Sequence, residues 1–394
     1  MLAPQARRVA PDSVPALAQA MREAYAAGDV LAFEGGGTEL ELGYPAERVD
    51  VVVSTNRLAE IVEYAPEDMT VTVEAGMTLA ALQAALSEHR QRLALDAPDA
   101  QRATLGGVIA TNAFGARRAR FGSLRDLLLG VTLVRADGVV VRGGGKVVKN
   151  VAGFDVPKLL IGSLGTLGCI ATATFRLHPV PEAASWVATR CGGGSELRSL
   201  CLAFTDAQLE PSAVVARNVA GEIDVYVLFE GFPAGVVEQA AACAQRLAAL
   251  GLRGALADAA KADAFLAAHE QTRTSGEVRA KVTFPVAALA QMYDGALAQH
   301  GRTSGDGSVV VYPTLGIAFC AGASNDGASR ALLGIRAAAE HLGGNLVVQA
   351  APPQVREEVD VFGALPPAFA LMRRIKERFD PQRRCNRGRF AGKL

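Results

Sequence analysis

Apolar positions in SVPALAQAMREAYAAG recur at helical spacing, with Ser13 placed to cap the start and Gly28 to end it. VLAF then reads as a strand. VDVVVST, RLAEIVEYAP, MTVTVEAG and TLAALQAALSEH follow as strand, helix, strand and helix, each bounded by Thr, Ser, Gly or Pro. Short strands alternating with helices argue for an α/β or α+β domain. From about Ala103 to Pro181 glycine becomes dense among Val, Leu, Ile and Thr, and ADG at 136–138 reads as a hairpin turn between GVTLVR and VVVRG. Backbone rather than side chains organises this stretch.

Past Pro179 and Pro181 the pattern is plainer, which places a domain boundary near 180. DVYVLFEG is a strand, GVVEQAAACAQRLAALG and KADAFLAAHEQ are helices, and VVVYPTLGIAFCAG reads as paired strands. ASRALLGIRAAAEHLGG predicts a helix and NLVVQAAP a strand. The last helix breaks after Phe379, because Pro381 disfavours helical geometry in Asp380.

A chain of 394 residues, half of them apolar, exceeds one hydrophobic core and predicts two or three domains. Forty Lys and Arg balance forty Asp and Glu, so no basic field exists to attract nucleic acid. The six cysteines are far apart, with no CxxC and no Cys/His pair at zinc spacing. They read as reduced, mostly buried thiols. LLIGSLGTLGCIATATF at 159–175 is broken by three glycines and is short for a membrane helix of about 20 residues. It predicts a buried turn and strand. The first residues, MLAPQARRVAPDSVPAL, lack the apolar core of a signal peptide, so export is not expected.

The candidate chemistry begins at FEGGGTELELG, residues 33–43. Glycines let backbone amides face a ligand, so GGGT between two elements can form a nest for phosphate oxygens or be a plain turn. It is neither GxGxxG opening a helix nor GxxxxGK[ST], which disfavours a nicotinamide Rossmann site and a P-loop. Two further glycine-rich stretches follow, DAPDAQRATLGGVIATNAFG (96–115) and KNVAGFDVPKLLIGSLGTLGCI (149–170). Three separated close approaches suit a large cofactor with a pyrophosphate and planar rings better than a lone phosphate.

In order and spacing, GGGT, VTVEAGMTLAALQAAL, ATLGGVIATNAFG, ARFG and KNVAGFDVPKLLIGSLGTLGCI resemble the FAD-binding domain of the vanillyl-alcohol oxidase/p-cresol methylhydroxylase (PCMH-type) family, over roughly residues 10 to 180. Within it, KVVKNVAGFDVPKLLIGSLGTLG and the tail VDVFGALPPAFALMRRIKERFDPQRRCNRGRF are similar to the FAD-binding subunits of glycolate oxidases. The resemblance implies an α+β fold. A PCMH-type two-subdomain FAD-binding domain would span 1–180, an α+β substrate or cap domain 181–360, and a segment returning to the FAD domain 361–394.

Carried over by position, the resemblance assigns Glu34, Gly35, Gly36, Gly37, Thr38 and Glu39 to the FAD pyrophosphate. Pro98, Asp99, Thr104, Leu105, Gly106 and Gly107 would form the second wall, with Thr111 and Asn112 toward the pyrophosphate and flavin ring. Gly115 and Gly122 would allow close packing, and Gly165, Thr166, Gly168 and Ile170 would hold the adenosine end. Thr38 and Glu39 stand where some relatives have a flavin-linking histidine, so the implied FAD is non-covalent. Phe121 and Phe154 replace frequent tyrosines. The usual Asn-Pro-Gly-Arg of the tail is Asn386, Arg387, Gly388, Arg389.

The resemblance also implies oxidation of a small 2-hydroxy acid, glycolate or D-lactate, with electrons leaving through FAD. A second FAD subunit and an iron–sulfur subunit would be the partners, since no cysteine cluster here can hold an iron–sulfur centre. The expected location is cytoplasmic, reaching the inner membrane only through those partners. A non-catalytic flavin electron-transfer or scaffold subunit, or a self-sufficient FAD-dependent dehydrogenase, are the competing readings. No catalytic residue is legible: His89, His178, His269, His300 and His341 are scattered, which argues against a metal site. Arg117, Arg118 and Arg120 fit either a carboxylate or cofactor contact or a solvated loop. Lys149 and Lys158 flank AGFDV, where Lys158 could pair with Asp155 or reach a phosphate.

Overall fold

A computed structural model describes residues 5–146, 154–219, 221–303 and 307–394. Lys149 lies outside them. The chain divides into two compact units, one comprising 1–115, 122–180 and 364–394 and the other 116–121 and 181–363. The fold is mixed α+β.

In the first unit the opening helix is Val14–Ala27, with the Ser13 hydroxyl accepting from the Ala16 N–H and Gly28 closing the helix in the left-handed region. Leu17, Met21 and Ala24 fall on one face and are buried with Leu31, Val51 and Val53. The strands Arg7–Val9, Val51–Ser54 and Leu31–Glu34 form a parallel sheet in that order. A second, antiparallel sheet has the order Ile61–Ala65, Thr70–Glu74, Cys169–Arg176, Leu128–Val134, Val140–Gly144. Its last pair is the hairpin turned at ADG. Residues 159–175 run from the end of the short helix Val156–Leu160 through a turn into the largely buried strand Cys169–Arg176, and all six cysteines are free and buried.

RLAEIVEYAP differs from its reading as a helix. Leu58, Ile61, Val62 and Ala65 have helical spacing, yet Ile61–Ala65 is an edge strand paired with Thr70–Glu74, and Val62 is 57 % exposed. A strand partner in the chain just ahead supplies more hydrogen bonding than an isolated short helix would, so tertiary pairing overrides the local period.

The second unit is built on an antiparallel sheet with the order Ala255–Leu256, Ala183–Cys191, Glu222–Gly231, Ala213–Val219, Ser308–Tyr312, Ile317–Gly322, Val278–Thr283, Asn345–Ala350. Directly opposite residues share a face. On one face Val214, Ala216, Val225, Val227, Val309, Val311, Ala318 and Cys320 are buried. The other face is charged in places. Arg217 stands opposite Asp224 and Val310, Val310 opposite Phe319, and Phe319 opposite Lys281. Among the described residues no helix is long and apolar enough to cross a membrane.

Candidate functional site

A cleft of about 750 Å³ opens in the first unit between three glycine-rich segments and the tail. Its first wall is the turn after the strand Leu31–Glu34, residues 33–40. Gly35 and Gly36 are required there by contact. A Cβ at Gly35 would lie 2.0 Å from Thr104 Oγ1, and one at Gly36 would lie 1.6 Å from the Arg102 carbonyl oxygen. Arg102 Nη2 donates to the Gly36 carbonyl at 3.2 Å. The backbone N–H groups of Gly35, Gly36 and Gly37 donate to nothing among the described residues.

The second wall is Thr104, Gly106, Gly107, Ala110 and Thr111, on and around the helix Leu105–Thr111. That helix is pinned from behind, because Leu105 N–H donates to Met77 O at 2.9 Å and Gly106 N–H to Ala75 O at 2.7 Å. Thr104 Oγ1 is buried and makes no hydrogen bond among the described residues. A buried, unsatisfied hydroxyl beside open glycine amides is a set of polar groups waiting for an oxyanion. These groups fit the pyrophosphate of a dinucleotide.

The third wall is Leu164, Gly165, Gly168, Cys169 and Ile170, and it is tied to the chain's end. Asn386 donates from Nδ2 to Leu164 O at 2.6 Å, and its Oδ1 accepts from Phe33 N–H at 3.2 Å. One side-chain amide thus spans the first and third walls. Arg389 donates to the carbonyls of Leu40 and Leu42 at 2.6 and 2.7 Å. Below them Lys376 donates to Thr166 O at 2.6 Å, Asp380 Oδ2 at 2.6 Å and Cys385 O at 3.1 Å.

The structure gathers Glu34 to Glu39, Thr104, Gly106, Gly107, Thr111, Gly165, Gly168 and Ile170 around this cleft. The remaining residues assigned from the sequence do not line it. Leu105 is in the core. Asp99, after Pro98, is in a left-handed turn whose carbonyl accepts from the N–H groups of Arg102 and Ala103. Asn112 ends its helix in the left-handed region. Gly115 lies against Asp96 and Gly122 against Asp126. The Thr166 hydroxyl donates to Ser163 O at 2.7 Å. Phe33, Leu40, Thr55, Ala110, Leu164, Cys169, Asn386 and Arg389 also line the cleft. Asn386 and Arg389 had a signal in the sequence, the NRGR after the last helix, but no spacing rule links them to residues 33–42.

The arginines of GARRARFG belong to the second unit. Arg117 forms a bidentate pair with the nearly buried Glu230, with Nη2 to Oε1 at 2.9 Å, and Arg120 pairs with Glu210 at 2.6 Å. Lys158 pairs with Asp155. His269 lies 2.6 Å from the Tyr312 hydroxyl. Burial, then Arg273 and Arg217, lower its pKa to about 3. Among the described residues no cluster of His, Cys, Asp and Glu could hold a metal.

The glycine walls, the orphan hydroxyl and the unused amides describe a dinucleotide cofactor cleft. Comparison gives the cofactor: residues 5–144 match the family model described as FAD binding domain, so the chain carries an FAD-binding domain. The chain is 39 % identical over 145 residues to a D-lactate dehydrogenase of Archaeoglobus fulgidus, covering 37 % of this chain and 32 % of that one. It is 34 % identical over 173 residues to the glycolate oxidase subunit GlcE of Escherichia coli, covering 44 % and 49 %. It is 36 % identical over 171 residues to a D-2-hydroxyglutarate dehydrogenase of Xanthomonas citri, covering 43 % and 36 %. The matches therefore span a third to a half of these relatives' length. A solved alkyldihydroxyacetonephosphate synthase shares the fold, with a TM-score of 0.73 at 18 % identity over 96 % of this chain and 76 % of that one.

Proposed function

We propose that the chain is the FAD-binding subunit of a 2-hydroxy-acid oxidoreductase, oxidising glycolate or D-lactate in a complex with a second FAD subunit and an iron–sulfur subunit. The observation that carries the reading is the cleft itself, where Gly35–Gly37 and Thr104, within the FAD-binding match, meet Gly165. Relatives named as glycolate oxidase subunits, D-lactate dehydrogenases and a D-2-hydroxyglutarate dehydrogenase favour the substrate class. The complex is favoured by the GlcE and GlcD subunits among them.

FAD, when bound, would accept the two electrons of the CH–OH oxidation. The chain's own residues would bind and orient it: amides of 35–37 and the Thr104 hydroxyl at the pyrophosphate, and Gly165, Gly168 and Ile170 at the adenosine end. The binding would be non-covalent. Among the described residues no histidine lines the cleft, and the Cys169 thiol is fully buried with its pKa pushed up to about 12 by desolvation. Purification should yield a yellow protein whose flavin is released by acid, and whose absorbance bleaches with glycolate or D-lactate in the assembled complex. A protein purified with its partners that holds flavin but resists bleaching by every 2-hydroxy acid would favour the electron-transfer role instead.

A further inference from the structure

The charged face of the second unit's sheet contains an arginine with no assigned work. Arg217 makes no side-chain hydrogen bond or ion pair among the described residues, and its Nε is buried. The acid opposite it, Asp224, is engaged by Arg190 Nε at 2.7 Å. Arg217 lines a cleft of about 800 Å³ with Gln271, Thr272, Ser275, Ser308 and Glu277. The acid in that cleft, Glu277, accepts from the Ser324 N–H at 2.8 Å.

The helix Ala259–Thr274 roofs the neighbouring sheet surface. Phe265 stacks on Tyr226 at 3.9 Å, the Arg273 guanidinium lies 4.2 Å from the Phe319 ring centre, and His269 reaches Tyr312. Cations of the helix and of the sheet make themselves felt: Arg273 and Arg217 add to burial in keeping His269 neutral. A buried guanidinium nitrogen without an acceptor costs free energy that a bound oxyanion would recover. Arginine's planar fork matches a carboxylate in two parallel hydrogen bonds.

We propose that this cleft is a binding site for a small carboxylate, held by Arg217, with the Gln271 amide and Ser308 hydroxyl as further polar groups for it. The choice of a carboxylate over other oxyanions rests on the function proposed above. Binding needs only the second unit's residues.

Calorimetric titration of the FAD-loaded full chain tests it, using glycolate, D-lactate, inorganic phosphate and uncharged glycolamide. Glycolate and D-lactate bind and glycolamide does not. Arg217→Ala and Arg217→Gln weaken the carboxylates at least tenfold, while the exposed Arg246→Ala leaves them unchanged. In the unmutated protein, glycolate shifts the Arg217 Nε resonance, a readout that needs no variant to fold. Carboxylate affinity unaltered in folded Arg217 variants, or phosphate binding more tightly than either carboxylate, overturns the proposal. Flavin bleaching separates it from the functional reading. Arg217-dependent binding without bleaching sinks the activity alone, and bleaching with carboxylate affinity unchanged in Arg217→Gln sinks the carboxylate site alone.

Discussion

Lys376 Nζ lies 2.6 Å from Asp380 Oδ2, one helical turn away, with side-chain exposures of only 3 % and 0 %. The pair is fully bonded: Asp380 also accepts from the backbone N–H groups of Arg384 and Cys385, at 2.9 and 2.7 Å. It fixes the turn that follows the helix Phe369–Phe379, and with it the start of the segment bearing Asn386.

Removing one partner leaves the other charge buried and uncompensated. Lys376→Met or Asp380→Asn should each destabilise the first unit by about 3–5 kcal/mol. Urea unfolding of the single variants checks this, and losses under about 1 kcal/mol in both would show that the pair is dispensable.

Asn386→Ala removes both hydrogen bonds that join the first and third cleft walls. FAD affinity should fall about tenfold, a loss of about 1.4 kcal/mol. Fluorescence titration of the apoprotein reads it directly. Asn386→Asp keeps the acceptor for Phe33 N–H but not the donor to Leu164 O, so it should be impaired as well; wild-type affinity in both variants would refute the bridging role.

At Gly36 the 1.6 Å approach to the Arg102 carbonyl leaves no space for a side chain. Gly36→Ala should therefore purify largely without flavin. Gly235, where a Cβ meets nothing within 4 Å, is the matched control, and Gly235→Ala should keep full flavin content. Equal flavin in the two proteins would contradict the close-packed wall.

His269 has its pKa lowered from 6.5 to about 3, by burial first and then by Arg273 and Arg217. The unfolded chain therefore binds the proton first as pH falls. The stability contributed by the neutral ring is fully present above about pH 6.5 and is lost progressively down to about pH 3. The slope should approach about 1.4 kcal/mol per pH unit in that window. Denaturation midpoints from pH 7 to 4 should fall less steeply in His269→Gln than in the wild type, and parallel curves would exclude this histidine as a source.

All six cysteines are buried, and desolvation raises the pKa of each, for Cys320 to about 12. None should react with a thiol reagent at pH 8 in the folded protein, and all should react in urea. A rapidly labelled native thiol would show local opening at that site.

Much of this was readable from the chain, for physical reasons specific to each part. Ser13 and Gly28 bracket the first helix because capping is local chemistry, and ADG marks its hairpin for the same reason. The glycine loops stood out because close backbone approach admits no other residue. Ile61–Ala65 was misread because its apolar spacing satisfies a helix and only the neighbouring strand decides. Asn386 was visible only as part of the NRGR of the tail, and Arg217 not at all as a site residue. Their roles depend on contacts across hundreds of residues or on a missing partner, and no local pattern says which residues they meet.

The side chain that joins the first and third cleft walls comes 353 residues after Phe33 and 222 after Leu164. At a translation rate of about 5–20 residues per second, the walls wait roughly ten to forty-five seconds for their bridge. The cofactor pocket of the emerging polypeptide is thus left unbraced while residues 181–363 of the second unit are being made. Firm capture of the flavin must then await the segment that follows the second unit, whose asparagine closes the pocket.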